Sequence, residues 1–141
     1  MKNELVSIIM PTYNCAKFIN ETIKSVLNQT YENWELVIVD DCSNDNTEEV
    51  VVSFNDKRIK YNRLEKNSGA AVARTTAMKM ATGNYMAFLD SDDLWKDNKL
   101  EKQLEFMKKN NYNFTCTAYE QIDEEGHQLN KIISIVQGDR A

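Results

Sequence analysis

Three carboxylates crowd into four positions at Asp90-Ser91-Asp92-Asp93, directly after the apolar run Tyr85-Met86-Ala87-Phe88-Leu89. Packed this closely they repel one another unless a cation lies between them. Oxygen ligands at the end of a buried strand suit Mg²⁺ or Mn²⁺, which would fill its remaining positions with phosphate oxygens. Capping of the next helix in water is an adequate account of one such aspartate, but a poorer one of three beside an apolar strand.

A second acidic pair, Asp40-Asp41, follows the apolar stretch that begins at Glu35. A carboxylate there can accept hydrogen bonds from a nucleobase N–H or from ribose hydroxyls. The plainer alternative is a turn or cap role for Asp41 and Ser43. Arg74 lies in an Ala-rich segment after Asn67-Ser68-Gly69; it is either a solvated helix arginine or a cationic partner for the acidic cluster or for phosphates. Tyr13 follows the first apolar run and is a candidate for stacking on a base, whereas Trp34 reads as core. His127, the only histidine, falls in a polar turn and reads as a surface residue.

These groups need a scaffold, and the hydrophobic pattern supplies one. Leu5 to Met10 is a β-branched apolar run that Pro11 is expected to end. Asn14 is a candidate cap for a helix carrying Phe18, Ile19, Ile23, Val26 and Leu27 at helical spacing. Glu35–Val39 reads as a second strand. Asp45 and Glu48 resemble a capping box for a helix over 46–54, and 58–64 alternates as a weaker strand near an edge. Ala70–Ala81 has high helix propensity and Gly83 is expected to stop it. Tyr85–Leu89 reads as a buried strand, and Asp97 as the cap of a helix with Leu100, Leu104 and Met107 on one side. Asn113–Tyr119 and Lys131–Val136 read as two further strands around a polar turn at 123–126.

Strands alternating with helices predict an α/β fold, with a mainly parallel sheet covered by helices on both faces. Ligands of such sheets sit beyond the carboxyl ends of the strands. The stretches after Met10, Val39 and Leu89 all fall at that edge, so Thr12, Asp40, Asp41 and the Asp90–Asp93 cluster should share one crevice. The 141 residues amount to one domain, 1–141. A net charge of −5 argues against a nucleic-acid binder, which needs a basic face. Three widely spaced cysteines, Cys15, Cys42 and Cys116, suggest single thiols in a reducing cytoplasm. Neither a signal peptide nor a membrane-spanning run is expected. Gly-x-Gly-x-x-Gly and Gly-x-x-x-x-Gly-Lys-Ser/Thr are both missing, which makes dinucleotide binding and P-loop hydrolysis poor fits.

Taken in order, Val6-Ser7-Ile8-Ile9-Met10-Pro11-Thr12-Tyr13-Asn14, Val39-Asp40-Asp41-Cys42-Ser43-Asn44-Asp45, Asn67-Ser68-Gly69 with Ala73-Arg74, and Gly83-Asn84-Tyr85 running into Leu89-Asp90-Ser91-Asp92-Asp93 form an ordered set of motifs. The set resembles the family 2 glycosyltransferases of the GT-A fold over nearly the whole chain. The resemblance implies the donor-binding portion of an inverting transferase, taking a nucleotide-diphosphate sugar, typically a UDP-sugar. Asp41 then matches the residue that hydrogen-bonds the base, with Asp40 beside it. Pro11, Thr12 and Tyr13 match the loop against the nucleoside. Asp90 and Asp92 match the Asp-x-Asp metal motif, Asp92 holding Mn²⁺ or Mg²⁺, with Ser91 between them and Asp93 extending toward the sugar. Gly69 matches the donor loop and Arg74 a characteristic arginine of the following helix. Cys42 stands where the family often has glycine, and Thr75 where it often has asparagine.

The resemblance further implies that the sugar goes to an acceptor hydroxyl of a cell-surface glycan or lipid-linked acceptor, with a cytoplasmic location at the inner membrane surface. The family carries its general base later in the chain. The later acids Asp123, Glu124, Glu125 and Asp139 read as solvated turn and tail residues, and none is assigned as base. Three rival readings are a nucleotide-binding fold without catalysis, a receiver-like signalling module and an Asp-x-Asp phosphatase. The last two need their acidic residues after the first strand, where this chain has Pro11-Thr12.

Overall fold

The computed structural model describes residues 4–110, 119–122 and 128–133. The chain divides into two compact units, Met1–Asn98 and Lys99–Ala141. The first holds β1 (Val6–Thr12), α1 (Ala16–Leu27), β2 (Trp34–Asp40), α2 (Thr47–Val52), β3 (Ile59–Arg63), α3 (Ala70–Met80) and β4 (Tyr85–Phe88).

Its four strands are all parallel, in the order β3-β2-β1-β4. The chain therefore steps outward from β1 to β3 and then returns to the other side of β1. Right-handed crossovers put α1 and α2 on one face and α3 on the opposite one. Side-chain alternation agrees: Ile9, Val37 and Val39 form a core cluster with Ala73 and Ala77 of α3, flanked by Leu64, Met80 and Ala81. Ile8, Met10, Leu36 and Ile38 point the other way and are wholly buried, as are Ile19, Ile23 and Val26 of α1. The small Ala73 and Ala77 let α3 approach the sheet closely.

Several boundaries depart from the pattern-based expectation. β1 does not stop at Pro11 but pairs with β2 through Thr12↔Asp40. Its ladder with β4 ends at Ile9↔Phe88, and Leu89 N then donates to Ile9 O. Proline lacks the N–H that would carry that ladder further, so Pro11 ends the pairing on one side only. Asn14 does not cap α1. It lies at φ 50 and the N-cap residue is Cys15. Asp45 does not form a capping box with Glu48; its carboxylate accepts from the N–H and hydroxyl of Thr47 and, 3.1 Å away, from Ala16 N at the start of α1.

Gly83 does not stop α3, which ends at Met80. It is needed for close approach: a Cβ there would lie 2.6 Å from Leu5 O and 2.9 Å from Ser7 N. β4 is not the buried strand expected. It has a neighbour on one side only among the described residues, and Met86 and Phe88 are about half exposed. β3 lies at an edge of the sheet among the described residues, as its weak alternation suggested.

The opposite, amino-terminal edge of the sheet is closed by a buried carboxylate. Glu35 accepts from Lys60 Nζ at 2.6 Å, Ser7 Oγ at 2.5 Å and Thr82 N at 2.7 Å. Burial alone would raise its pKa. The hydrogen bonds from Lys60, Ser7 and Thr82 outweigh that and hold it at about 2.

The second unit contains α4 (Lys99–Asn110), in which Lys99 Nζ donates to Gln103 Oε1 at 2.8 Å. It also contains an antiparallel pair, β5 (Tyr119–Ile122) with β6 (Gln128–Ile133), in register Tyr119↔Ile133 with an irregularity between Glu120 and Ile122. Two late strands were expected, at 113–119 and 131–136; β5 meets the first only at Tyr119, and β6 begins three residues before the second. The remainder of those strands at 113–118 and 134–136, the turn at 123–126, Cys116, His127 and the late acids Asp123, Glu124, Glu125 and Asp139 lie outside the described residues. No described helix is long and apolar enough to cross a membrane.

Candidate donor and metal site

β1 is central, β2 lies beside it and β4 on its other flank. The carboxyl ends of these parallel strands therefore bring Thr12, Asp40-Asp41 and Asp90–Asp93 to one edge of the sheet. The chain reverses its direction of travel between β1 and β4, and a crevice opens at such a switch point.

The loops after β1 and β2 are laced together by their own polar groups. Asp41 N donates to Thr12 O at 2.9 Å, Asn14 N to Ser43 Oγ at 2.8 Å and Asn44 N to Asn14 Oδ1 at 2.7 Å. Beneath them lies Asp40, 0% exposed. The sequence puts Asp40 among the donor contacts, but the structure encloses it. Its Oδ1 accepts from Ser43 N at 2.9 Å and Ser43 Oγ at 2.5 Å, and its Oδ2 accepts from the Tyr61 hydroxyl. Burial, and then the bond to Asp40, push the Tyr61 phenol well above its ordinary range, so it stays a donor. Asp40 thus supports the loop that carries the site.

Asp41, one residue on, meets the loop before α3. Its two carboxylate oxygens accept from Ser68 N at 2.7 Å and Gly69 N at 2.9 Å, and Asn67 Nδ2 donates to its main-chain carbonyl at 3.1 Å. Each oxygen keeps a further lone pair for a ligand N–H. Gly69, at φ 101, directs its N–H to Asp41 from a backbone conformation that side chains rarely adopt. Cys42 also lies in the left-handed region, at φ 67. That is the physical reason a glycine would suit the position.

Thr12 is 4% exposed, and its Oγ1 is buried without a hydrogen-bond partner. Tyr13 beside it is 44% exposed and open to a flat ligand. Pro11 is half-buried inside β1.

On the other flank, carboxylate oxygens of Asp90, Asp92 and Asp93 all lie within 4.8 Å of one another, and all three residues are exposed. Loss of solvation, and then the charges of Asp92 and Asp90, raise Asp93 to about 6. A hard divalent cation fits this donor set, because it offers only oxygen and relieves the repulsion. Ser91 is buried, and its carbonyl rather than its hydroxyl has a described partner, the hydroxyl of Thr22. Arg74 is exposed on α3 and makes no ion pair with the acidic cluster.

Sequence reasoning missed Ser43, Tyr61, Asn67 and Ser68 as parts of the site. Asn67-Ser68-Gly69 before a helix was a readable loop signal, but its bonding to Asp41 depends on tertiary contact. Tyr61 carried no signal beyond its place in an alternating edge strand.

Solved structures with this arrangement are glycosyltransferases of the GT-A type. The Staphylococcus aureus TarS 1-349 complex with UDP-GlcNAc superposes with a TM-score of 0.74 at 35% identity, covering 77% of this chain and 32% of that one. The mannosyltransferase PcManGT from Pyrobaculum calidifontis, in complex with GDP-Man and Mn²⁺, gives 0.69 at 27% identity, covering 83% and 35%. The family model Glycosyl transferase family 2 matches residues 7–139, and the chain belongs to that family.

Among its relatives, TuaG of Bacillus subtilis, a glycosyltransferase assigned by name to teichuronic acid biosynthesis, is 50% identical over 92% of this chain and 52% of its own. The Escherichia coli UDP-Glc:alpha-D-GlcNAc-diphosphoundecaprenol beta-1,3-glucosyltransferase WfgD is 54% identical over 87% of this chain and 49% of its own. The chain spans about half the length of these relatives. Family membership sets aside the receiver and phosphatase readings.

Proposed function

We propose that residues 1–141 form the donor-binding portion of an inverting glycosyltransferase that takes a UDP-sugar with Mn²⁺ or Mg²⁺ and serves cell-surface glycan synthesis. The observation that carries this reading is the meeting, at one edge of the sheet, of a carboxylate held by a backbone clamp and a triad of exposed carboxylates across the switch point. The names of WfgD and of the TarS complex support a UDP-sugar. The Mn²⁺ bound in the PcManGT complex supports a metal.

In this reading Asp41 accepts the N–H of uracil through the lone pairs its clamp leaves free. Tyr13 covers a face of the base, and Pro11 and Thr12 form the loop against the nucleoside. Asp92, with Asp90 and Asp93, holds the metal, which when bound supplies Lewis-acid neutralisation of charge on the diphosphate leaving group. Gly69 and its loop approach the donor closely, and Arg74 adds a mobile cation for the phosphates. Inversion requires the acceptor hydroxyl to attack opposite the departing diphosphate, with a base to take its proton. None of the described residues is assigned that base. The acceptor is a glycan or lipid-linked hydroxyl met at the inner membrane surface.

The test is thermal stabilisation by UDP with and without Mn²⁺, in wild type and Asp92→Ala. Wild type should show a metal-dependent rise in Tm that the variant loses. No rise with any nucleoside diphosphate would overturn the donor-site assignment.

A further inference from the structure

The buried side of α1 carries a polar edge that packing alone does not require. Thr22 and Ser25 of α1, and Gln29 just past its C-cap, are at most 9% exposed and lie on the side of Ile19 and Val26. All three bond to the segment that carries and follows the acidic cluster. Thr22 Oγ1 donates to Ser91 O at 2.9 Å, between the two aspartates of the Asp-x-Asp pair. Ser25 Oγ accepts from Trp95 N at 3.2 Å while donating to Thr22 O at 2.7 Å. Gln29 Nε2 donates to Lys96 O at 2.7 Å and to Ser25 O at 3.1 Å, and Thr30 N donates to Asp97 O at 2.8 Å. The segment 91–97 has no regular strand or helix of its own. Its main chain is fitted at two points to α1, through Thr22 and Ser25, and at two to the residues that follow it, Gln29 and Thr30.

We propose that Thr22, Ser25 and Gln29 are positioning residues for the metal-binding carboxylates: α1 and the turn at its end fix the main chain at Ser91, Trp95 and Lys96, and so fix where Asp90, Asp92 and Asp93 stand. The proposal rests on the metal reading given above. A cluster of three exposed acids on an irregular segment gains metal affinity only if its oxygens are already held together, because the cation must otherwise order the loop against charge repulsion. Thr22 acts most directly, since its bond falls inside the Asp-x-Asp pair.

The experiment is a Mn²⁺ titration in the presence of UDP, followed by the electron paramagnetic resonance of free Mn²⁺. It compares wild type with Thr22→Val, Thr22→Ser, Gln29→Met and Asp92→Asn, and metal-free UDP binding is measured in parallel by calorimetry. Thr22→Val and Gln29→Met keep side-chain size and remove the donor. Each should weaken Mn²⁺ binding roughly tenfold, in the range for residues that orient a metal's ligands. Metal-free UDP binding, which depends on the Asp41 loop, should not change. Thr22→Ser keeps the hydroxyl and should restore wild-type Mn²⁺ affinity.

If Asp92→Asn binds Mn²⁺ as wild type does, the metal reading itself fails. If Asp92→Asn loses Mn²⁺ while Thr22→Val and Gln29→Met retain it, the positioning role alone fails. Failure of Thr22→Ser to restore affinity also overturns it. So does loss of metal-free UDP binding in both apolar variants, since the bonds would then hold the fold rather than the site.

Discussion

Cys42 shows how a single residue can be right for its neighbours and wrong for its backbone. At φ 67 it occupies a conformation that costs an L-residue about 1 kcal/mol or more, and its Sγ contributes only a long contact of 3.7 Å to Glu65 O. Cys42→Gly should therefore be more stable by roughly 0.5–1 kcal/mol in urea unfolding, part of the gain being offset by the freer unfolded chain. A destabilised variant would show that the thiol contact outweighs the strain. The chemistry of this turn was readable from the sequence, because Asp40-Asp41 and Ser43 are residue types that gather where strands end. The division of labour between the two aspartates was not readable. It depends on Tyr61, which is distant in sequence, filling the second oxygen of Asp40 and leaving Asp41 to face the loop at 67–69. Periodicity says which residues lie inside, but not which of two adjacent carboxylates is enclosed.

At the scale of elements, the connection from α3 to β4 is set by a close approach rather than by helix termination. Gly83 has no room for a side chain because the obstructing atoms, Leu5 O and Ser7 N, belong to the backbone of β1 and the residue before it and cannot swing away. Gly83→Ala should cost about 1–3 kcal/mol, read as a fall in the urea midpoint. An unchanged midpoint would mean that the start of β1 yields easily. The same strand pair shows where pattern reading runs out. Apolar content identified β4 correctly as a strand, and the helices and the parallel sense of the sheet followed from spacing. That Met86 and Phe88 stand half exposed follows instead from where β4 lies in the sheet, which no property of its own residues encodes. Likewise, α1 reads as an ordinary amphipathic helix. The destination of its polar edge, the segment after the acidic cluster, appears only once the helix has been laid against the sheet.

At the scale of the whole molecule, acid stability should be governed by the edge of the sheet farthest from the site. Glu35, 5% exposed at its side chain, is held at about 2, below its ordinary 4.5. A depressed carboxylate contributes stability that is fully present above about pH 4.5 and is lost as the pH falls through its folded value. The contribution is on the order of 2–3 kcal/mol. Unfolding free energy measured across pH 2 to 4.5 should fall steeply in wild type and less steeply in Glu35→Gln. Parallel curves for the two proteins would assign the acid sensitivity to other groups.

Glu35 and Asp40 together also bear on how the chain finds its fold. β2 is buried along its whole length, and its interior, Leu36-Val37-Ile38-Val39, is so uniformly apolar that it could slide along β1 with little loss of hydrophobic contact. The two acids point to opposite faces of the sheet, each into its own set of donors. A slip of one residue would turn both toward the wrong face and strand two bare carboxylates in the interior. The charges at the ends of β2 thus act as alignment marks, making one seating of the central strand far better than its neighbours before any ligand arrives.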